Sequence, residues 1–193
     1  MNIRNIIAIF MMVALSACAD FENDDPAVVS SRSYVSEEAP FVALMTMVTA
    51  DGDSGEHSGI LINASQTVLY DPAGSFRYEA ELARSRDIHY GMSPRMVDYY
   101  QRYHARFGYY VVTQKIYITA EEAEALFREA NRIGTTGQLR CGLSASSVLN
   151  SIPRFANIPT TYWPGKIMHA MAEVPGVSTS FTRENDVGQN YVN

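Results

Sequence analysis

The sequence predicts an α+β domain, an antiparallel sheet packed by helices, and three observations carry that prediction. Short apolar, β-branched runs between residues 41 and 71 are separated by clusters of turn residues. Two well-marked helix starts lie later in the chain, each ahead of an apolar stripe at helical spacing. Strand runs mixed with separate helices indicate α+β. The chain has 193 residues, 47% hydrophobic and 19% charged, enough for one well-packed domain and unlike a disordered or collagen-like sequence.

Residues 41–49 (FVALMTMVT) form the first expected strand, and 50–56 are dense in turn residues. His57–Asn63 is the second strand, and Ala64-Ser65-Gln66 turns into a third at Thr67–Asp71, which Pro72-Ala73-Gly74 breaks. Ser93-Pro94 supplies an N-cap with proline at the first helical position. Met96, Tyr100, Tyr103 and Phe107 then share one helical face, and Gly108 ends that helix. Tyr109–Ile118 is another strand. Thr119 and Glu122 fit a capping box, and Ala123, Leu126, Phe127, Ala130 and Ile133 make a stripe that Gly134 stops. A third helix is expected over Cys141–Ile152, ended by Pro153, and a fourth over Lys166–Val174.

The N-terminus reads as an address. Arg4 precedes an apolar run from Ile6 to Leu15. As a helix that run spans roughly 15 Å, half a bilayer's hydrocarbon core, which suits a signal peptide and not a membrane span. It ends in Leu15-Ser16-Ala17-Cys18, which resembles a bacterial lipoprotein signal. The resemblance implies removal of residues 1–17, lipidation of Cys18 and, with Ala19 next to it, an outer-membrane destination facing the periplasm. An ordinary signal peptide with a chance cysteine is the plainer alternative. Residues 18–40 are then the lipidated cysteine and a flexible, acidic, Ser-rich tether, and residues 41–193 the folded domain. The formal charge is −6, with no basic stripe to neutralise phosphates, so nucleic acid is not an expected partner.

Lipidation of Cys18 would leave Cys141 as the one free thiol, in an oxidising compartment where unpaired cysteines invite oxidation. Cys141 opens a helix whose body, Gly142-Leu143-Ser144-Ala145-Ser146-Ser147, is small and apolar. A helix N-terminus carries unpaired N–H groups and partial positive charge, which stabilise a thiolate and can receive an oxyanion. His57 opens a strand after a glycine-rich turn, which places its ring at the sheet's edge. Cysteine with histidine is the minimal nucleophile–base pair for acyl transfer. The alternative readings are a buried small hydrophobe for Cys141 and a solvated histidine for His57.

The order of these parts, His57-Ser58-Gly59-Ile60-Leu61-Ile62, a hairpin into Leu69-Tyr70-Asp71-Pro72, and later a cysteine at a helix start, resembles the circularly permuted NlpC/P60 group of papain-like hydrolases. That group includes lecithin:retinol acyltransferase-like proteins and bacterial relatives; the ordinary group has the cysteine helix before the histidine strand. The resemblance covers about residues 41–153. It implies a papain-like fold with Cys141 as nucleophile, His57 as base, and a polar residue on the adjoining strand orienting the imidazole. Two departures stand out: Gly142-Leu143 follow the cysteine where the group often has an aromatic or polar residue, and the third site is not an evident histidine.

Register decides that third site. If Asn63 pairs with Thr67, Gly59 faces Asp71, and Asp71 shares His57's face. If Asn63 pairs with Gln66, Tyr70 takes that face, because a one-residue slip flips every side chain. Asp71 is favoured, since a carboxylate holds the imidazole tautomer and stabilises the imidazolium; Asp51 and Asp53 are more remote choices. Other constellations are weaker. Gly52-Asp53-Ser54-Gly55 is similar to serine-hydrolase signatures but lacks a C-terminal Asp-x-x-His. His89, His104 and His169 lack metal-ligand spacing, and His104 reads as a helix-surface residue. The tyrosines at 99, 100, 103, 109 and 110 read as core or interface, or one wall of a cleft. No cofactor and no metal is expected.

The expectation is therefore an envelope lipoprotein with a cysteine hydrolase or acyltransferase domain. Its partners would be the membrane, through the lipid, and peptidoglycan or an acylated substrate; a peptidoglycan peptide amide leads, with a lipid or protein acyl group second. The rival is a non-catalytic envelope lipoprotein using the same fold as a binding or assembly module, and a third is a structural protein of merely similar fold.

Overall fold

The computed structural model describes residues 23–52 and 54–184. The signal segment, Cys18 and Asp53 lie outside the described residues. In chain order the elements are α1 (Pro26–Ser31), β1 (Phe41–Thr49), β2 (Gly55–Asn63), β3 (Thr67–Tyr70), β4 (Ala83–Ser85), β5 (Ile88–Tyr90), α2 (Pro94–His104), β6 (Tyr109–Tyr117), α3 (Ala120–Ile133), α4 (Cys141–Leu149), α5 (Pro164–Ala172) and β7 (Ser178–Thr182), with a 3-10 turn at Pro153–Phe155. The strands form one sheet in the order β4-β5-β3-β2-β1-β6-β7, antiparallel at every pair. The chain is thus α+β, with an antiparallel sheet packed by helices.

Helices cover both faces of the sheet, which is why β1 reads as a nearly unbroken apolar run instead of alternating. On one face Val42, Leu44, Ile60, Ile62, Val68 and Tyr70 pack against Leu126 of α3, Val148 and Leu149 of α4, and Ile167 and Met171 of α5. On the other, Ala43, Met45, Leu61 and Leu69 pack against Met96 and Tyr100 of α2 and against Phe76 and Met92 from the loops. Ser93 caps α2 by accepting from the Met96 N–H, and Thr119 and Glu122 close the reciprocal capping box of α3. Gly134 ends α3 at φ +68°, a conformation that favours glycine.

Several boundaries differ from expectation for local reasons. α2 stops at His104 because the chain must turn back into β6: Tyr109 N–H bonds Arg106 C=O, with Gly108 at φ +85°. Phe107 therefore leaves the helical face and is exposed. α4 stops at Leu149, where the Asn150 amide turns to donate to Ile158 C=O and Thr160 Oγ1 and folds the following loop back. α5 starts two residues early, at Pro164, and ends at Ala172.

Residues expected to be a free tether are bound from Asn23 onward. Arg86 N–H donates to Asn23 Oδ1 at 2.7 Å, and Asp24 exchanges bonds with Arg84, N–H to C=O at 2.9 Å and Oδ2 from N–H at 2.6 Å. α1 follows. Thr67 N–H then bonds Tyr34 C=O, Asn63 Nδ2 donates to Glu38 C=O and Ala39 C=O, and the Glu38 carboxylate takes Lys115 and Tyr117. Edge strand β4 and the loop ends offer unpaired backbone groups, and this polar segment satisfies them.

Candidate functional site: a cysteine–histidine–aspartate arrangement

β2 and β3 meet with Asn63 opposite Thr67 and Ile60 opposite Tyr70. This is the register that puts Asp71 on His57's face; Tyr70 points to the other side, where its hydroxyl donates to Gly134 C=O. Asp71 is fully buried just past the end of β3. Its Oδ1 lies 2.6 Å from His57 Nε2 and accepts the Tyr100 hydroxyl at 2.8 Å. Two glycines make room for the carboxylate. A Cβ on Gly59 would fall 2.5 Å from the Tyr100 hydroxyl, and one on Gly74 would fall 1.8 Å from Asp71 Oδ2. His89, also buried, brings Nε2 to 3.8 Å from Asp71 Oδ2.

β3 pairs with β2 only from Ile60 onward, so the earlier edge of β2 is open on that side. The N-terminus of α4 occupies it. The Cys141 thiol lies beside the His57 ring and the backbone N–H groups of Ser58 and Gly142, each of which favours its thiolate. With Nε2 at Asp71, Nδ1 is the ring nitrogen left for the thiol. Arg140, at the N-cap of α4, makes no side-chain cap, so the first-turn N–H groups stay available. Gly142 is needed here because a Cβ would meet the Tyr162 carbonyl oxygen at 2.5 Å, which also explains why no larger residue follows the cysteine.

The electrostatics favour charge separation. Burial alone would lower the His57 pKa, but the Asp71 carboxylate, by charge and hydrogen bond, and Cys141 together raise it to about 10. Burial would raise Asp71, yet His57 and then His89 hold it well below the usual carboxylate range. For Cys141, burial is outweighed by the hydrogen bond and charge of His57 and by the Ser58 and Gly142 N–H groups, so its pKa falls. Both shifts run in the direction of a thiolate facing an imidazolium.

His104 is not a surface residue. It is half-buried and lies parallel to the His57 ring, with centroids 5.6 Å apart and planes 13° apart. Its Nδ1 lies 3.0 Å from Tyr100 C=O, and burial pulls its pKa down to about 4, so it stays neutral beside the imidazolium. Sequence reasoning did not single out Tyr100, His89 or His104 as site residues. Tyr100 and His104 sit four apart on one helix, a spacing that could have linked them; nothing local marks His89. His57, Asp71 and His104 have donor atoms within 4.8 Å of one another and are, among the described residues, a group that could hold a cation. In the present arrangement His57 and Asp71 bond each other and His104 is tied to Tyr100.

His57 and His104 open onto a cleft of about 480 Å³ that also takes in Ala73, Gly74, Tyr103 and Arg106. The His57 side chain is 14% exposed, while Cys141 is 8% exposed and is not among the residues lining this cleft. Ser54 only closes the β1–β2 hairpin, its N–H donating to Thr49 Oγ1 and its C=O accepting from the Thr49 N–H. No protein family, no curated protein and no solved structure matches this chain.

Proposed function

We propose that this chain is a cysteine hydrolase or acyltransferase of the permuted NlpC/P60, papain-like kind, carried on an envelope lipoprotein anchored through Cys18 and facing the periplasm. The observation that carries the reading is the continuous chain of contacts from Cys141 through His57 to Asp71, with Tyr100 holding the far carboxylate. His57 takes the thiol proton, and the Cys141 thiolate attacks an amide or ester carbonyl. The Cys141 N–H at the start of α4 helps to hold the oxyanion. Imidazolium His57 then returns its proton to the leaving amine or alcohol, leaving a thioester on Cys141. Water or another nucleophile, deprotonated by neutral His57, attacks that thioester and restores the thiol. Asp71 fixes the imidazole tautomer and balances the charge that forms. A peptidoglycan peptide amide is the leading substrate, and a lipid or protein acyl group the second.

A short-chain p-nitrophenyl ester tests the reading without knowledge of the natural substrate. The expected result is a burst of p-nitrophenolate stoichiometric with protein and an acyl adduct on Cys141 in the mass spectrum, both abolished in Cys141→Ala. Absence of burst and adduct in the folded protein would favour the non-catalytic binding module instead.

A further inference from the structure

We propose that the end of the sheet bearing Cys141 and His57 docks on the bilayer that holds the N-terminal lipid. The inference rests on the anchor reading above. The antiparallel order fixes which elements share an end. His57 near the start of β2, Asp71 just past β3, the Arg86-Asp87 turn between β4 and β5, and Tyr109 at the start of β6 all lie at one end; Asn63, Thr67, Tyr90 and Tyr117 lie at the other. Asp71 N–H bonds Asp87 C=O at 2.8 Å and ties the turn to the site.

The N-terminal segment joins the body at this same end, through the Asn23 bond to Arg86. Four residues, 19–22, separate Asn23 from Cys18. Five Cα steps reach at most about 18 Å, so the anchor cannot hold the body far from the lipid. From β4 to β2 is three strand spacings, about 14 Å, so the site lies beside the point where the leash ends.

The same end carries an unusual share of exposed apolar side chains. Phe107 is 88% exposed, Leu139 87% and Trp163 66%, with Tyr162 and Tyr109 exposed beside them. Leu139 precedes Cys141 by two residues and is held outward at φ +65°. Tyr162 and Trp163 are placed by the contact of the Tyr162 carbonyl with Gly142 and by the close approach of Gly55 to Gly165. Trp and Tyr suit the headgroup level of a membrane, with one part apolar and one part wet. Phe107 and Tyr109 line the cleft itself, and Leu139, Tyr162 and Trp163 flank the Cys141 end of α4; apolar exposure gathered at one end of a fold marks a docking surface, and an anchor within about 18 Å supplies its occupant.

Trp163 is the sole tryptophan, so its fluorescence reads the contact directly. The acylated mature protein is placed in vesicles of phosphatidylethanolamine and phosphatidylglycerol, with and without lipids brominated high on the acyl chain. The expected result is blue-shifted Trp163 emission that the brominated lipids quench. In Phe107→Ser/Leu139→Ser, whose changes are at exposed positions, quenching should fall about tenfold as apolar burial in the interface is lost. Emission equal to that of the unacylated protein in buffer would overturn the proposal, as would a blue shift that bromine does not quench, which would indicate a protein partner. Unchanged quenching in the double variant would overturn it too, because another face would then be docked. A mass spectrum without acyl chains on Cys18 would remove the anchor and the proposal with it. An ordinary Cys141 pKa alongside intact quenching would count against the catalytic reading alone.

Discussion

Asp71→Asn is expected to lower Cys141-dependent turnover by about 10³- to 10⁴-fold while leaving the fold in place. An amide of the same size can still take the Tyr100 hydroxyl, but it no longer balances an imidazolium and no longer enforces the tautomer with Nε2–H. The carboxylate is also the main reason that His57 titrates at about 10 despite burial. A histidine whose folded pKa is raised above its unfolded value adds stability that is complete below the unfolded pKa of about 6.5 and lost as pH rises towards the folded value. Cys141, whose thiol ionises at lower pH in the folded than in the unfolded state, offsets that loss until the unfolded thiol ionises at about pH 8.5, so the wild-type urea midpoint should fall chiefly between about pH 8.5 and about pH 10, and that fall should largely vanish in Asp71→Asn. Turnover of an activated ester and urea unfolding across that range measure the two effects on one pair of proteins. Wild-type turnover in the variant would remove Asp71 from the mechanism.

Gly74→Ala is expected to disable the site by displacing the same carboxylate without altering its charge. The added methyl would lie 1.8 Å from Asp71 Oδ2 and 2.2 Å from Cγ, and Gly74 is buried with its N–H bonded to Asp71 C=O, so neither group has room to yield. Overpacking of this kind costs about 1–3 kcal/mol. Rotating the carboxylate away from His57 Nε2 should cost turnover about 10²-fold or more, the scale for a misplacement of about 1 Å. Asp71→Ala/Gly74→Ala, which removes the clash, should recover stability relative to Gly74→Ala but no activity. A Gly74→Ala protein with unchanged turnover would show that the carboxylate has freedom the packing denies it.

Much of this site is legible in the amino-acid sequence. β1, β2 and β3 follow from apolar runs set off by turn residues, and α3 from its capping box. The choice between Asp71 and Tyr70 reduces to one register, which the Asn63–Thr67 pair resolves. What is not legible has physical reasons. β4 and β5 are three residues each and turn on Arg86 and Asp87 at φ +53° and +60°, so no glycine advertises the hairpin. Residues 23–40 look like a spacer because their attachment is mostly through backbone groups and short polar side chains, which leave no apolar period. His104 looks like a surface residue because its partner, His57, is supplied by a strand 47 positions earlier, across the sheet.

A thiolate–imidazolium pair of Cys141 and His57 underlies the proposed chemistry, and the rate of Cys141 alkylation against pH tests that pair most directly. Iodoacetamide is applied to the unacylated mature domain lacking Cys18, from about pH 4 to about pH 9, and to its His57→Ala variant. The expected half-maximal rate lies well below the ~8.5 of a free cysteine and moves up in the variant as the imidazolium is lost. An ordinary thiol pKa in the wild type, or no alkylation until the domain unfolds, would make Cys141 a core residue and rule out the ion pair.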